Sequence, residues 1–109
     1  MKNGWMTQID QGDLIKVSRA RVPFLVVSSS FYNQSGNVIV CPIVKEAKPD
    51  PLHIEIISDS MKGIVLCEEL ATVSVHGRGC TVRGHLSGKM LLEIVYRVQS
   101  IFDYVPHGN

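Results

Sequence analysis

The chain lacks most features that would point directly to a partner or a reaction. Its formal net charge is only +1, so no global field draws in nucleic acid and any such site must be a local patch. No apolar run reaches membrane-spanning length. The opening MKNGWMTQIDQGD holds no apolar stretch suited to export, so a cytoplasmic protein with no membrane partner is expected. Cysteines are few and odd in number: Cys41, Cys67 and Cys80 show neither metal-ligand spacing nor a paired framework, which fits a reducing compartment. Cys41 and Cys67 sit in apolar runs, where a free thiol behaves as a small core residue. A phosphate loop, a His-Glu-x-x-His metal motif, a nucleophile elbow and a close Cys-His pairing are all missing. Residue spacing alone therefore specifies no enzyme, and no metal or cofactor is expected. Neither an internal repeat nor a linker interrupts the 109 residues. They read as one domain, 1–109, large enough for a modest core that a second copy of the chain would supplement.

What is present is organised around Arg21 to Val44. Two apolar runs, Phe24 to Val27 and Val38 to Cys41, flank the polar segment Asn33-Gln34-Ser35-Gly36-Asn37. Asn and Ser side chains can hydrogen-bond their own backbone there, and Gly36 can take φ > 0, so the stretch reads as a β-hairpin. Near-continuous apolar runs predict strands covered on both faces. Before them, Asp13 to Ser18 alternates crudely, with Leu14 and Lys16 on one face and Ile15 and Val17 on the other. After them, Pro49 and Pro51 mark a connection that cannot sit in a central strand. Leu52 to Ile57, Ile64 to Cys67, Ala71 to His76 and Cys80 to Leu86 each read as short strands. From Ser87, a plausible N-cap, Leu91, Ile94, Val95, Val98, Ile101 and Phe102 recur at helical spacing. The expected fold is mainly β with a C-terminal helix, a small SH3-like β-barrel with the helix packed against it.

Three segments carry a family resemblance. Gly12-Asp13-Leu14-Ile15-Lys16-Val17 followed by an Arg, a Pro and apolar residues looks like the start of the MazF/PemK/Kid toxins. Tyr32-Asn33-Gln34-Ser35-Gly36 is similar to their Tyr-Asn-rich hairpin, and Arg78-Gly79-Cys80-Thr81-Val82-Arg83-Gly84 resembles a later Arg-Gly segment. The matches keep their order from about Gly12 to the C-terminal helix. The resemblance implies a CcdB/MazF-like barrel, a symmetric homodimer, a cognate antitoxin, and metal-independent, sequence-selective cleavage of single-stranded RNA that inhibits growth. In that chemistry the ribose 2′-hydroxyl attacks the adjacent phosphate, leaving a cyclic phosphate and a free 5′-hydroxyl. The protein must help remove a proton, stabilise the phosphorane and protonate the leaving oxygen.

Arg21 is the candidate catalytic residue, because an Arg stays charged and offers a planar fork of donors to phosphate oxygens. It precedes Pro23 by two positions, one more than in the family, so Arg19 is the alternative. A solvated Arg at a strand start is the plain reading of either. The family's mobile loop before this Arg is shortened to Ser18-Arg19-Ala20-Arg21-Val22. Val44 stands where the family has a Thr, and valine can neither donate nor accept a hydrogen bond. Candidate RNA-binding residues are Ser29, His53, His76, Arg78 and Arg83. His53 alternates with Ile54 beside Glu55, whose carboxylate would raise the imidazole pKa. His76-Gly77-Arg78-Gly79 and Arg83-Gly84-His85 make a compact basic segment suited to phosphates or a stacked base; tight turns that need glycine are the structural alternative. Phe31 and Tyr32 can stack a base or pack against the helix. A member whose catalytic pair has decayed, acting as an antitoxin- or nucleic-acid-binding module, is the competing function. A gyrase poison of the CcdB type is disfavoured, since those carry a Trp at the C-terminal helix end and the one Trp here is Trp5.

Overall fold

Period-two patterning runs through the chain until Ser87 and then gives way to a period near 3.6. The backbone follows it. The structure is a computed structural model that describes residues 8–77, 79–102 and 106. Its elements are β1 (Asp13–Val17), β2 (Phe24–Val26), α1 (Ser30–Asn33), β3 (Asn37–Val44), β4 (His53–Ile57), β5 (Lys62–Leu66), β6 (Ala71–Ser74), β7 (Cys80–His85) and α2 (Gly88–Ser100).

β2 and β3 form the expected antiparallel pair, with Leu25 opposite Cys41 and Val26 opposite Val40. Their connection holds more than an Asn- and Gly-rich turn, because the single helical turn α1 precedes it. Ser29 is the N-cap, its hydroxyl accepting the Tyr32 N–H at 3.2 Å. Gly36 then takes φ +94, the left-handed conformation that a residue without Cβ adopts freely.

Two apolar clusters lie on opposite faces of the strands. Leu14, Leu25, Cys41, Ile43 and Ile56 belong to one; Ile15, Val17, Val26, Val38 and Val40 belong to the other. Successive residues of β1, β2 and β3 alternate between the clusters, which is why these strands read as unbroken apolar runs rather than apolar–polar alternation. Full burial of one such side chain contributes about 1.5–3 kcal/mol. Cys41 and Cys67 are free, buried thiols; burial pushes them up to about 12 and about 11 respectively, so both stay protonated as core residues. Helix α2 is anchored by Ile94, fully buried in the first cluster, while Leu92 and Tyr96 face solvent. Ser87 occupies the N-cap position without a side-chain capping bond.

The expectation of a mainly β fold with a C-terminal helix holds, whereas closure into a small β-barrel is not shown. The strand path β4-β5-β3-β2-β1-β7 is open, with β6 attached to β3. The long β3 divides one of its edges, pairing Asn37 to Val40 with β6 and Ile43 and Val44 with β5. The sheet therefore branches there instead of returning to β7. No helix among the described residues is long and apolar enough to cross a membrane.

Candidate nucleic-acid interface

β1 ends at Val17, and the turn to β2 carries both candidate arginines. The Ser18 N–H donates to the Gly79 carbonyl at 2.8 Å, so the turn is held against the segment that opens β7. Arg19 adopts φ +70, a left-handed conformation that costs a non-glycine residue roughly 1–2 kcal/mol and persists only where surroundings enforce it. Ser18, Arg19, Gly77 and Gly79 line one hollow of about 400 Å3. Arg21 is exposed on the same turn. Arg78 lies outside the described residues.

The end of β3 reaches the same region. Phe24 pairs with Pro42, and the Ile43 N–H donates to the Pro23 carbonyl at 2.9 Å. Val44 therefore runs beside the segment that leads out of the Arg21 turn, although the two are far apart in sequence. Val44 itself is half-buried opposite Ile64 of β5.

His76 stands on the rim of a separate hollow of about 250 Å3, shared with Ser30, Asn33, Gln34 and Gly36. Asn33 is fixed beneath it: its amide donates to the Ile9 carbonyl at 2.9 Å and the Ser28 carbonyl at 3.2 Å. The buried Ser28 hydroxyl donates to Asn33 Oδ1 and accepts the Ile39 N–H at 2.9 Å. This network holds α1 in place and gives Ser28 a structural task. Phe31, on α1, is 84% exposed, which presents its ring to solvent. Ser29 is exposed beside it and caps α1.

His53 is placed apart from these residues, at the start of β4. Its carboxylate neighbour is Glu68, not the same-strand Glu55: Nε2 lies 2.8 Å from Glu68 Oε2, and Nδ1 lies 2.6 Å from the Lys48 carbonyl. The hydrogen bond to Glu68, then the one to Lys48, raises the imidazole pKa. Both ring nitrogens face acceptors, an arrangement that only the imidazolium satisfies with two donated protons. The ring thus clamps the Lys48 connection to the turn after β5.

Arg83 sits at an irregularity in the β1–β7 ladder. Ile15 pairs with Val82 and Leu14 with Gly84, which leaves Arg83 as the extra residue of a β-bulge, a device that re-aims a side chain. Arg83 and Lys16 line a hollow of about 450 Å3 with Ser60 and Met61. Sequence reasoning placed Lys16 on the Leu14 face of β1 but missed it and Ser60 as site residues. It also missed the tie between His85 and Asp13, where Nδ1 lies 2.9 Å from Oδ1 of the buried carboxylate. That carboxylate also accepts the Asp10 N–H at 2.9 Å. Among the described residues no cluster of three or more His, Cys, Asp or Glu side chains is arranged to hold a metal.

The family model for the PemK-like, MazF-like toxin of type II toxin–antitoxin systems matches residues 5–102. The chain belongs to the PemK/MazF toxin family. Comparison with curated proteins finds no match. Among solved structures, the fold is similar to MazF in a MazE–MazF complex from Deinococcus radiodurans. The TM-score is 0.79 at 23% identity, over 88% of this chain and 97% of that one. It is similar as well to MazF alone from the same organism, with TM-score 0.77 and 21% identity over 88% and 97% of the two chains. A mycobacterial endoribonuclease aligns with TM-score 0.78 at 18% identity, over 90% and 94%. In this chain the turn carrying Arg19 and Arg21, the Gly79 segment and the β3 terminus with Val44 lie at one end of the sheet.

Proposed function

We propose that this protein is the toxin of a toxin–antitoxin pair and cleaves single-stranded mRNA sequence-selectively, without a metal, so inhibiting growth. The observation that carries the reading is the convergence of the Arg19–Arg21 turn, the Gly79 segment and the end of β3 in a chain of the PemK/MazF family. Cleavage forms a bond from the 2′-oxygen to phosphorus as the 2′-hydroxyl gives up its proton to water, and breaks the bond from phosphorus to the 5′-oxygen, which takes one proton from water in return. Arg21 donates to the non-bridging oxygens as charge builds on the phosphorane, and Arg19 is the second cation of the turn. His76, Arg78 and Arg83 supply contacts to the RNA. Ser29 lies beside the exposed Phe31 ring, where a base can stack. His53 serves RNA binding through the connection it clamps.

The solved MazE–MazF and mycobacterial endoribonuclease–antitoxin complexes support a cognate antitoxin as partner, here an acidic segment drawn to the local basic patch. A homodimer in the cytoplasm completes the reading, supported by the exposed Leu92, Tyr96 and Phe102 at and beyond α2. One observation favours a decayed, binding-only member: Val44 offers no hydrogen bond where the family has a Thr.

Single-turnover cleavage of a long single-stranded RNA in a chelator separates the two. Wild type should cleave slowly, and Arg21→Ala should lose roughly a hundredfold to a thousandfold, the usual effect of removing one preorganised donor. Val44→Thr should raise the rate by no more than a neutral hydrogen bond of about 0.5–1.5 kcal/mol allows. Equal rates for wild type and Arg21→Ala would reject Arg21 as catalytic, and no cleavage by wild type or Val44→Thr would leave the binding module.

A further inference from the structure

The hollow between β1, β7 and the β4–β5 turn has a composition that the rest of the surface does not explain. Lys16 and Arg83 both line it, both are exposed, and neither side chain forms an ion pair or hydrogen bond among the described residues. Lys16 lies opposite Thr81 and Arg83 is the unpaired bulge residue two positions on, so two cations on adjacent strands border one opening. The carboxylate of the same turn, Asp59, is not part of the lining. The third polar group is the Ser60 hydroxyl, and its position is built. A Cβ added at Gly84 would lie 2.1 Å from Ser60 Oγ and 3.0 Å from Ser60 Cβ. The turn therefore seats on β7 where β7 has no side chain. The Ser58 hydroxyl braces the turn, donating to the Met61 carbonyl at 3.0 Å and accepting the Met61 N–H at 3.2 Å. The bulge, the glycine and the braced turn together place a guanidinium, an ammonium and a hydroxyl around one opening.

We infer that this hollow is a subsite for a backbone phosphate of single-stranded RNA, distinct from the phosphate that is cleaved. The guanidinium supplies a planar fork of donors and the ammonium a compact charge, a combination that fits phosphate oxygens. Single strands are held by tracking their backbone along such cations. Lys16 precedes Arg21 by five residues, a span of at most about 17 Å of chain, so one RNA strand reaches both. The inference rests on the ribonuclease reading for the identity of the strand and adds the place where a neighbouring phosphate is gripped.

The test uses the full chain and a short 2′-deoxy oligonucleotide, which cannot be cleaved. Affinity is measured between about 50 and 200 mM salt, where each phosphate contact adds about 0.7 to the slope of log K against log salt. Lys16→Ala/Arg83→Ala should flatten the slope by about 0.7, the loss of the one phosphate the two cations share, while Lys16→Arg keeps the wild-type slope. With RNA, the double variant should raise KM. In the unsubstituted protein, inorganic phosphate should shift the Ser60 and Gly84 amide resonances.

An unchanged slope in a protein that still cleaves RNA overturns the subsite and leaves the ribonuclease standing. A flattened slope with no cleavage by wild type supports the subsite and defeats the ribonuclease reading. No single-strand binding and no phosphate shift overturn both. Dependence on Lys16 and Arg83 seen only with an oligo-glutamate peptide assigns the hollow to an acidic protein segment and overturns the inference.

Discussion

Gly84→Ala tests how the β4–β5 turn is carried by β7. A Cβ at this position meets Ser60 Oγ at 2.1 Å and Ser60 Cβ at 3.0 Å, and next Leu14 Cδ1 at an ordinary 3.5 Å. Rotating the Ser60 hydroxyl away relieves the first contact but not the second, so the turn must shift. Overpacking of this kind costs roughly 1–3 kcal/mol. Gly84 is not among the positive-φ residues, so an alanine there also removes unfolded-chain freedom and gains about 0.4–1 kcal/mol. The net expectation in the wild-type background is a loss of about 0.5–2 kcal/mol. Ser60→Gly deletes both clashing atoms. In that background Gly84→Ala should stabilise, by the chain-entropy gain of about 0.4–1 kcal/mol alone. The sign of the substitution thus reverses between backgrounds, with a coupling of about 1–3 kcal/mol, the range seen for residues in direct contact. Urea unfolding of all four proteins at one fixed concentration measures it, the concentration held because association shifts apparent stability. The same sign in both backgrounds would falsify the seating of Ser60 on Gly84.

Stability should also depend on pH through His53, whose folded pKa is raised above the ordinary 6.5 by Glu68 and the Lys48 carbonyl. Its contribution is fully present below that ordinary value and is lost as pH rises through the higher folded value. Urea unfolding across this window should show wild type losing its advantage over His53→Gln as pH increases, and a constant difference would remove the clamp. Sedimentation at tens of micromolar, a rough concentration above ordinary dimer constants, should give a dimer that Tyr96→Glu shifts toward monomer; a wild-type monomer would refute the homodimer.

Local pattern was enough for much of the fold. The alternating clusters of β1, β2 and β3, the short strands that follow, the left-handed Gly36 and the helix after Ser87 all express periods of two and 3.6 written into neighbouring residues. The unbroken apolar runs also determined that these strands would be covered on both faces. Other features depend on partners distant in sequence, and only the tertiary structure decided them. One turn of helix at Ser30–Asn33 has no period to detect and is held by the Asn33 bonds to Ile9 and Ser28. The branching of the sheet at β3, which leaves it open, is a matter of which strands share one edge. His53 found Glu68 across a turn rather than Glu55 on its own strand, because alternation reports faces and not what a loop brings to them. Arg83 belongs to a legible Arg-Gly segment but Lys16 and Ser60 carry no motif; a bulge in the ladder and a missing Cβ at Gly84 bring the three around one opening. Residue type determined that such groups could hold a phosphate, and strand register decided that they stand together to do it.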